Sequence, residues 1–563
     1  MVSRGLRWAA VAALASGLSC ASPESAPPTH ARTETGRGNT AWFEEVAAAR
    51  GLAFTHRSGH TDRYLLPEIM GGGAALFDMD NDGDLDAYLV QSGSVSDPAR
   101  KGDGNRLFRN RGDGVFDDVT TGSGAQAPGY GMGVAAGDYD NDGDVDLYVT
   151  NLGSNVLLQG DGTGRFADAT AHAGVAAGGW STSAVFVDYD ADGDLDLFVA
   201  RYIDWSPGSE RQCFSLTGVP DYCSPRNYDA PTPDRLFRNN GNGTFTDVTA
   251  AAGLQTAAGN GLGVVAADLN DDGRVDIVVA NDGTPNHLWI NAGGGRFEEE
   301  ALVNGVALDQ DGRPKAGMGV HVADVDGDAD QDLLIVNLDG ESDSFFRNER
   351  TYFVEDTAAV GLRTITRQFT RFGLGVIDFD NDGLLDIFEA NGRVGLQSER
   401  FSADPYAEPN VLLRGIAGGR FEPVANGGLA QPLIATSRAA AFGDVDGDGG
   451  IDVLVVNRDG PAHLLRNVAP QRGHWLSIRA VDSHRRDALG AQLTITAGAR
   501  RIHADVRAAY SYLASNDARV HVGLGTATRV DQVQVRWPGA TTVESFGPFD
   551  ADRTVTIREG QGR

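Results

Sequence analysis

The sequence predicts an all-β protein, a seven-bladed β-propeller closed by an N-terminal strand and followed by a small C-terminal β domain. Three observations carry this. The acidic nonapeptide D-x-[DN]-x-D-[GA]-x-x-D recurs seven times, beginning at Asp78, Asp138, Asp188, Asp268, Asp324, Asp378 and Asp444. A short segment led by phenylalanine also recurs seven times, at Phe43, Phe116, Phe166, Phe245, Phe297, Phe353 and Phe421, but out of phase with the first repeat. After about residue 470 both repeats stop and apolar and polar residues alternate, the pattern of half-buried strands.

The N-terminus comes first in the chain. Arg4 and Arg7 precede an apolar run from Trp8 to Leu14 and small residues up to Cys20, the plan of an export signal over 1–20. The run is too short to span a bilayer. Gly17-Leu18-Ser19-Cys20 resembles a bacterial lipoprotein cleavage box, although Leu18 stands one place too near the cysteine; Cys20 is therefore the expected lipidation site, and any membrane contact runs through that anchor. The Ser, Pro, Thr and Gly composition of 21–40 reads as a flexible linker.

From 41 to 470 each unit reads as four short strands: a Gly-rich strand, the acidic loop and a second strand, a third of the type Asn105 to Asn110, then the Phe-led segment. Four strands per unit is the plan of a propeller blade. The order begins with a Phe segment and ends with an acidic loop, so one-to-one pairing requires the stretch Trp42 to Val46 to become the last strand of the seventh blade. That closure removes two exposed strand edges.

The loops are expected to hold about seven Ca²⁺, a hard cation that takes six to eight oxygens. The side-chain ligands are Asp78, Asp80, Asp82 and Asp86; Asp138, Asp140, Asp142 and Asp146; Asp188, Asp190, Asp192 and Asp196; Asp268, Asn270, Asp272 and Asp276; Asp324, Asp326, Asp328 and Asp332; Asp378, Asp380, Asp382 and Asp386; and Asp444, Asp446, Asp448 and Asp452. Position seven is Asp84, Asp144, Asp194, Arg274, Asp330, Leu384 and Gly450. A place that accepts Arg and Leu offers its backbone carbonyl rather than its side chain. Position six is Gly except for Ala329, and position eight is apolar except for Gln331, which makes the fifth loop the weakest copy. An EF-hand would lead into a helix, whereas runs such as Leu147-Tyr148-Val149 are strand formers.

The formal charge of −31, from 78 acidic and 47 basic side chains, excludes nucleic acid as a partner, since phosphates would be repelled. Seven divalent ions would bring the charge to about −17, ordinary for solubility. The long interval between the third and fourth loops holds an insertion, 201–233, with Tyr202, Trp205, Arg211, Tyr222, Arg226 and Tyr228. Its cysteines, Cys213 and Cys223, are placed for a disulfide suited to an oxidising compartment. The loop they pin reads either as a recognition surface or as a stabilised insertion. His56, His60 and Glu68 form a polar group before the first loop, and Arg371 and Glu389 are scattered candidates for an enzymatic site.

The repeats, including Phe77 to Gly83 and Asp378 to Gly383, resemble FG-GAP/VCBS repeats, which form integrin-α-type propellers. Asp487 to Ala491, Tyr510 to Asp517, Val522 to Gly525 and Val535 to Gly539 resemble the ASPIC/UnbV domain, placed at 471–563. The combination is that of cartilage-acidic-protein-like secreted proteins. It implies a non-enzymatic, monomeric adhesion or binding module at the cell surface, the outer membrane or the periplasm, with an extracellular protein or glycan as partner. The alternatives are a hydrolase or lyase acting on an extracellular polymer and a scaffold in a secretion or biosynthetic complex. The N-terminal reading is tested by Cys20→Ser, which is expected to move the protein from the detergent fraction to the soluble fraction; wild-type protein found wholly in the soluble fraction would refute lipidation.

Overall fold

The computed structural model describes residues 41–60, 62–95, 104–398 and 400–563. The export signal, the linker and Cys20 lie outside them. Among the described residues the structure is all-β with a few single-turn helices. No described helix is long and apolar enough to cross a membrane.

Among the described residues seven sheets each carry four antiparallel strands, in sequence order except that the seventh takes its last from the N-terminal chain, and the first gains a fifth strand in parallel. The second sheet is representative: Gly131–Gly137, Asp146–Asn151, Val156–Gly160 and Phe166–Asp168. The acidic loop joins the first strand to the second in every sheet. The first strands pack on one another in succession, and that of the seventh sheet, Ser437–Gly443, packs on that of the first, Ala74–Phe77. The second strand is buried along almost its whole length because neighbouring sheets cover both its faces; Asp146–Asn151 is buried at all six positions.

The seventh sheet completes itself with N-terminal chain. Phe43–Glu45 pairs antiparallel with His463–Asn467, Phe43 opposite Asn467. Phe43 is 1% exposed and meets Phe379 and Phe388 edge-on, with centroids at 5.4 and 5.9 Å. The out-of-phase repeat has this physical outcome.

The tail forms a three-stranded sheet around His474–Val481 and a four-stranded sheet around Gln492–Ala497, with a core that includes Leu476, Ile478, Leu493, Ile495, Val533 and Val535. It is less separate than its strand pattern suggests. Ala514–Ser515 pairs parallel with Ala74 and Ala75 in the first sheet. Ser515 Oγ accepts from the Ala136 amide at 3.2 Å in the second, and Ser183 Oγ of the third accepts from the Leu513 amide at 3.1 Å. Ser511 exchanges backbone bonds with Val320 of the fifth, accepts from the Leu374 amide of the sixth and donates to the Ala440 carbonyl of the seventh, both at 2.9 Å. In the fourth, a Cβ on Gly263 would come within 2.3 Å of the Met318 carbonyl and 3.2 Å of that of Ser511. One heptapeptide, Tyr510 to Asn516, thus touches the first strand of every sheet, and those strands are Gly-rich where side chains would collide with it or with each other.

The insertion is also displaced from expectation. Its aromatic side chains do not form an exposed surface: Tyr202, Trp205, Tyr222 and Tyr228 are buried in a cluster with Leu66, Met70, Met318 and Tyr512. The Cys213–Cys223 disulfide is present, with Cα atoms 5.2 Å apart. The Tyr222 hydroxyl contacts His60 Nδ1 at 2.8 Å and accepts from Arg458 at 3.1 Å, and Asp221 accepts from the Tyr406 hydroxyl at 2.9 Å. The insertion therefore reaches across to residues of the first, sixth and seventh units instead of standing alone beside the third. Of its large hydrophobic side chains only those of the hairpin tip are exposed: Phe214 is 56% and Val219 47% accessible, and Leu216 fully so.

Pairing of Phe43–Glu45 with the far end of the chain predicts that Phe43→Ala destabilises by about 3–5 kcal/mol, the usual cost of truncating a buried Phe. Denaturant unfolding monitored by tryptophan fluorescence is the measurement, and a loss below about 1 kcal/mol would contradict a closing role for this strand.

Candidate metal centres

Each acidic loop is a tight turn between two buried strands, and the same bonds shape all seven. The first aspartate accepts from the amide of position six: Gly83 to Asp78 at 3.0 Å, Gly143 to Asp138 at 2.9 Å, Gly383 to Asp378 at 2.7 Å. The fifth accepts from the amide of position seven, as in Asp84 to Asp82 at 3.0 Å and Leu384 to Asp382 at 2.9 Å. The ninth is held twice. Asp86 accepts from the Met79 amide at 2.9 Å with one oxygen and from the Asn110 amide of the third strand at 2.7 Å with the other; Asp452 does the same with Val445 at 2.9 Å and Asn467 at 2.7 Å.

These bonds leave ligand oxygens over. The carboxylates of positions one, three and nine converge in four loops, as in Asp78, Asp80 and Asp86, while in the fifth loop Asp324 and Asp326 converge with Asp328. Buried oxygens without a hydrogen-bond partner include one each on Asp78, Asp80, Asp138, Asp140, Asp190, Asp378 and Asp446. Among the described residues no hydrogen bond ends on the carbonyl of position seven in any loop. Unpartnered buried anionic oxygens are costly, so this donor set fits a hard cation that takes oxygen ligands. Such an ion supplies charge neutralisation and a common centre for the loop.

The electrostatics agree. Burial, with repulsion from neighbouring carboxylates adding to it, pushes the carboxyls of Asp86, Asp138 and Asp196 up to about 8, about 7 and about 9. Asp378 and Asp386 are raised well above the ordinary range for the same reasons. A basic or amide side chain on the third strand also reaches several position-three aspartates: Arg109 to Asp80 at 2.9 Å, Gln159 to Asp140 at 2.6 Å, Arg414 to Asp380 at 3.1 Å.

Sequence reasoning missed two features. The first is the asparagine closing the third strand. Asn110 Nδ2 donates to the Leu85 carbonyl of its own loop at 3.0 Å and to the Val445 carbonyl of the seventh loop at 2.7 Å. Asn239, Asn291, Asn348 and Asn467 repeat this for the third, fourth, fifth and seventh loops, each with the loop before it, while Gly160 and Gly415 take the place in the second and sixth. The recurring Arg-Asn pair was its signal. The second is position four, whose Asn81, Asn141, Ala191, Asp271 and Asn381 all have positive φ; the frequency of Asn there was the clue. In the fifth loop Ala329 takes the φ of +82° that Gly takes elsewhere, the strained copy.

The other sequence candidates do not converge. His60 Nδ1 lies 2.9 Å from Glu68, beneath Tyr222, while His56 bonds to Ser92. Arg371 is fully buried and paired with Asp343 at 2.7 Å, and Glu389 stands with that pair, its carboxyl pushed well above the ordinary range by burial and by the charge of Asp343. Glu389 occupies position twelve of the sixth loop, but on the strand Asp386–Asn391, where it does not turn toward the loop aspartates. Tail residues do reach the loops: Arg486 donates to Asn141 at 2.6 Å and to the Gly193 carbonyl at 2.7 Å, Arg536 to Asp268 at 3.2 Å and Arg472 to Asp448 at 2.8 Å.

The architecture and the loops define a class. Residues 78–149, 139–199, 217–279 and 268–335 match the FG-GAP-like repeat, and residues 481–563 match ASPIC and UnbV. The chain thus carries FG-GAP-like repeats followed by a C-terminal match to the ASPIC/UnbV domain. Among named proteins it is similar to cartilage acidic protein 1: 27% identical to the mouse protein over 406 residues, 69% of this chain and 58% of that one, and 30% identical to the human protein over 227 residues, 39% and 33%. The chain thus spans only part of the length of these relatives. Solved structures similar to it include an Agrocybe aegerita lectin that recognises non-reducing terminal N-acetylglucosamine (15% identity, TM-score 0.38, covering 69% of this chain and 86% of the lectin). Another is the extracellular domain of a hybrid two-component system from B. thetaiotaomicron (10%, 0.39, 90% and 53%).

Two predictions follow from the loop geometry. Ala329→Gly is expected to stabilise by about 0.5–1 kcal/mol, relief of the left-handed strain being partly offset by unfolded-state entropy; a destabilisation in thermal melts would contradict the strain. In chelator, carboxyls raised in the fold make the folded state bind more protons than the unfolded one, so stability is highest at low pH and lost as pH rises through the folded values. The melting temperature without divalent ions should therefore fall between about pH 5 and pH 8, and a flat or rising profile would contradict it.

Proposed function

We propose that the chain is an exported, calcium-loaded seven-bladed propeller that acts as a monomeric binding module for an extracellular protein or glycan. The observation that carries the calcium reading is the set of unpartnered carboxylate oxygens in the acidic loops. The cation offsets repulsion that the loops cannot relieve by themselves. Because it binds the folded loops and not the open chain, its binding free energy adds to stability.

Binding rather than catalysis is favoured by the disposition of the polar groups. The candidate groups lie apart: half-exposed His60 with buried Glu68 in one place, and fully buried Arg371 with Asp343 and Glu389 in another, so they do not meet in a shared cleft. The part that suits a partner is the hairpin pinned by Cys213–Cys223. Its strands, Cys213–Phe214 and Pro220–Asp221, hold Phe214, Leu216 and Val219 in solvent on a braced base. Exposed apolar side chains on a rigid support form contacts at low entropic cost.

The calcium reading is tested by metal analysis of protein equilibrated in millimolar calcium. About seven ions per chain are expected, the fifth loop filling last, and chelation should lower the melting temperature sharply; fewer than about four ions, or an unchanged melt, would defeat it. The binding reading is tested by pull-downs from envelope extracts and by glycan arrays, comparing wild type with a Phe214→Ser, Leu216→Ser, Val219→Ser variant. Loss of the captured partner in the variant supports the hairpin, and equal capture refutes it.

A further inference from the structure

The acidic loops join first strands to second, so the other connections leave the sheets at the opposite end. There the connectors before and after the fifth sheet, its turn at 340–342 and Arg226 of the insertion enclose a cavity of about 420 Å³, within the size range of small-ligand sites. We propose that this cavity binds an acidic sugar, a uronate unit of an extracellular glycan. The proposal rests on the binding-module reading and narrows it to one site and one ligand class, and it requires no ion in the loops.

The cations of the cavity carry charge that the fold leaves uncancelled. Arginines elsewhere pair with carboxylates, as Arg109 does with Asp80 at 2.9 Å and Arg347 with Asp356 at 2.6 Å. Arg226, Arg313, Lys315, Arg363 and Arg367 line the cavity, and among the described residues none of the five makes an ion pair. Four of them are held by neutral oxygens instead. Arg367 donates to the Gly340 carbonyl from Nε at 3.0 Å and from Nη2 at 2.7 Å, and Arg226 to the Pro314 carbonyl at 3.3 Å. Lys315 donates to the Ser342 and Asp343 carbonyls at 3.1 and 3.2 Å and to the Ser344 hydroxyl at 3.0 Å. The Gln310 amide, turned so that its oxygen faces Arg363, accepts from both terminal nitrogens at 2.6 and 2.7 Å. Neutral partners fix a cation in place without cancelling its charge, and a guanidinium so fixed is preorganised for a carboxylate.

The acids of the cavity decide which anion suits it. Asp309, Asp311, Glu341 and Glu355 share the lining, four carboxylates against five cations. Three of them are also engaged by neutral donors: Asp309 accepts from the Asp311 and Arg313 amides, both at 2.9 Å, Glu341 from the Ala316 amide at 2.9 Å and Glu355 from the Thr357 hydroxyl at 2.5 Å. Each uses one oxygen in this way and keeps the other as an acceptor. An inorganic phosphate would meet the guanidinium groups and be repelled by these carboxylates. An apolar body would leave the wall unpaired, since Pro314 is the one apolar side chain in the lining. A sugar acid engages both sets, with its carboxylate on the guanidinium groups and its hydroxyls donating to the carboxylate oxygens. A neutral sugar leaves the cations unused.

The test is calorimetric titration of the full chain, in millimolar calcium, with a β-1,4-glucuronan tetrasaccharide and with cellotetraose, the same backbone carrying a hydroxymethyl group in place of each carboxylate. The uronate should bind about tenfold or more tightly, the difference expected of a charge-assisted hydrogen bond, and the preference should shrink as salt is raised. Arg313→Gln and Arg363→Gln, both at exposed positions where folding is not at stake, should each weaken the uronate several-fold and leave cellotetraose unchanged. Equal affinity for the two sugars, no binding of the uronate, or tetraglutamate binding as tightly as the uronate overturns the proposal. Capture of a partner through Phe214, Leu216 and Val219 is read with its own variant, so failure at this cavity and failure of the binding-module reading are told apart.

Discussion

The constraint on which this structure depends is the burial of carboxylates at the start of the second strand of each sheet. The ninth aspartate of each loop is almost inaccessible, and it joins the beginning of its loop to the third strand through two backbone amides. A charge in that position is expensive unless it is hydrogen-bonded and neutralised. The fold meets the first requirement with its own amides, and the second is what the proposed cation would supply.

The same loops form the surface on which the tail settles. Asparagines on the third strands tie neighbouring loops at five of the seven junctions, so most of the acidic turns are linked rather than independent. The tail settles on those turns with Arg472, Arg486 and Arg536 against loop oxygens, and sends the heptapeptide from Tyr510 to Asn516 among the first strands. Loop charge, loop shape and tail position are therefore coupled through direct contacts. The opposite end is covered by the insertion, whose buried tyrosines and tryptophan extend the core and leave the hairpin tip in solvent.

The resemblance read from the sequence agrees with the family matches, and the loops have the polar geometry that their residue types demanded. The repeat was legible because position-specific chemistry recurs: Gly or Ala where φ is positive, Asp where oxygen is needed, an apolar residue beneath. The phase of the repeats made the pairing of Phe43–Glu45 with His463–Asn467 legible too, since counting segments against loops requires no coordinates.

What the sequence by itself determined was local or periodic: the acidic turns, the strands around them, the change of pattern near 470 and the spacing of the two cysteines. What only the tertiary structure decided was where non-repeating segments go. Nothing in the composition of 201–233 says that Tyr222 will meet His60 and Arg458, and nothing in Tyr510 to Asn516 says that it will touch all seven sheets. Such contacts depend on shape matching between segments hundreds of residues apart, and each segment's own residues are compatible with many partners. Propensity and periodicity report on neighbours along the chain, whereas the cavity beside Arg313 exists only because Arg226 of the insertion meets the connectors on either side of the fifth sheet.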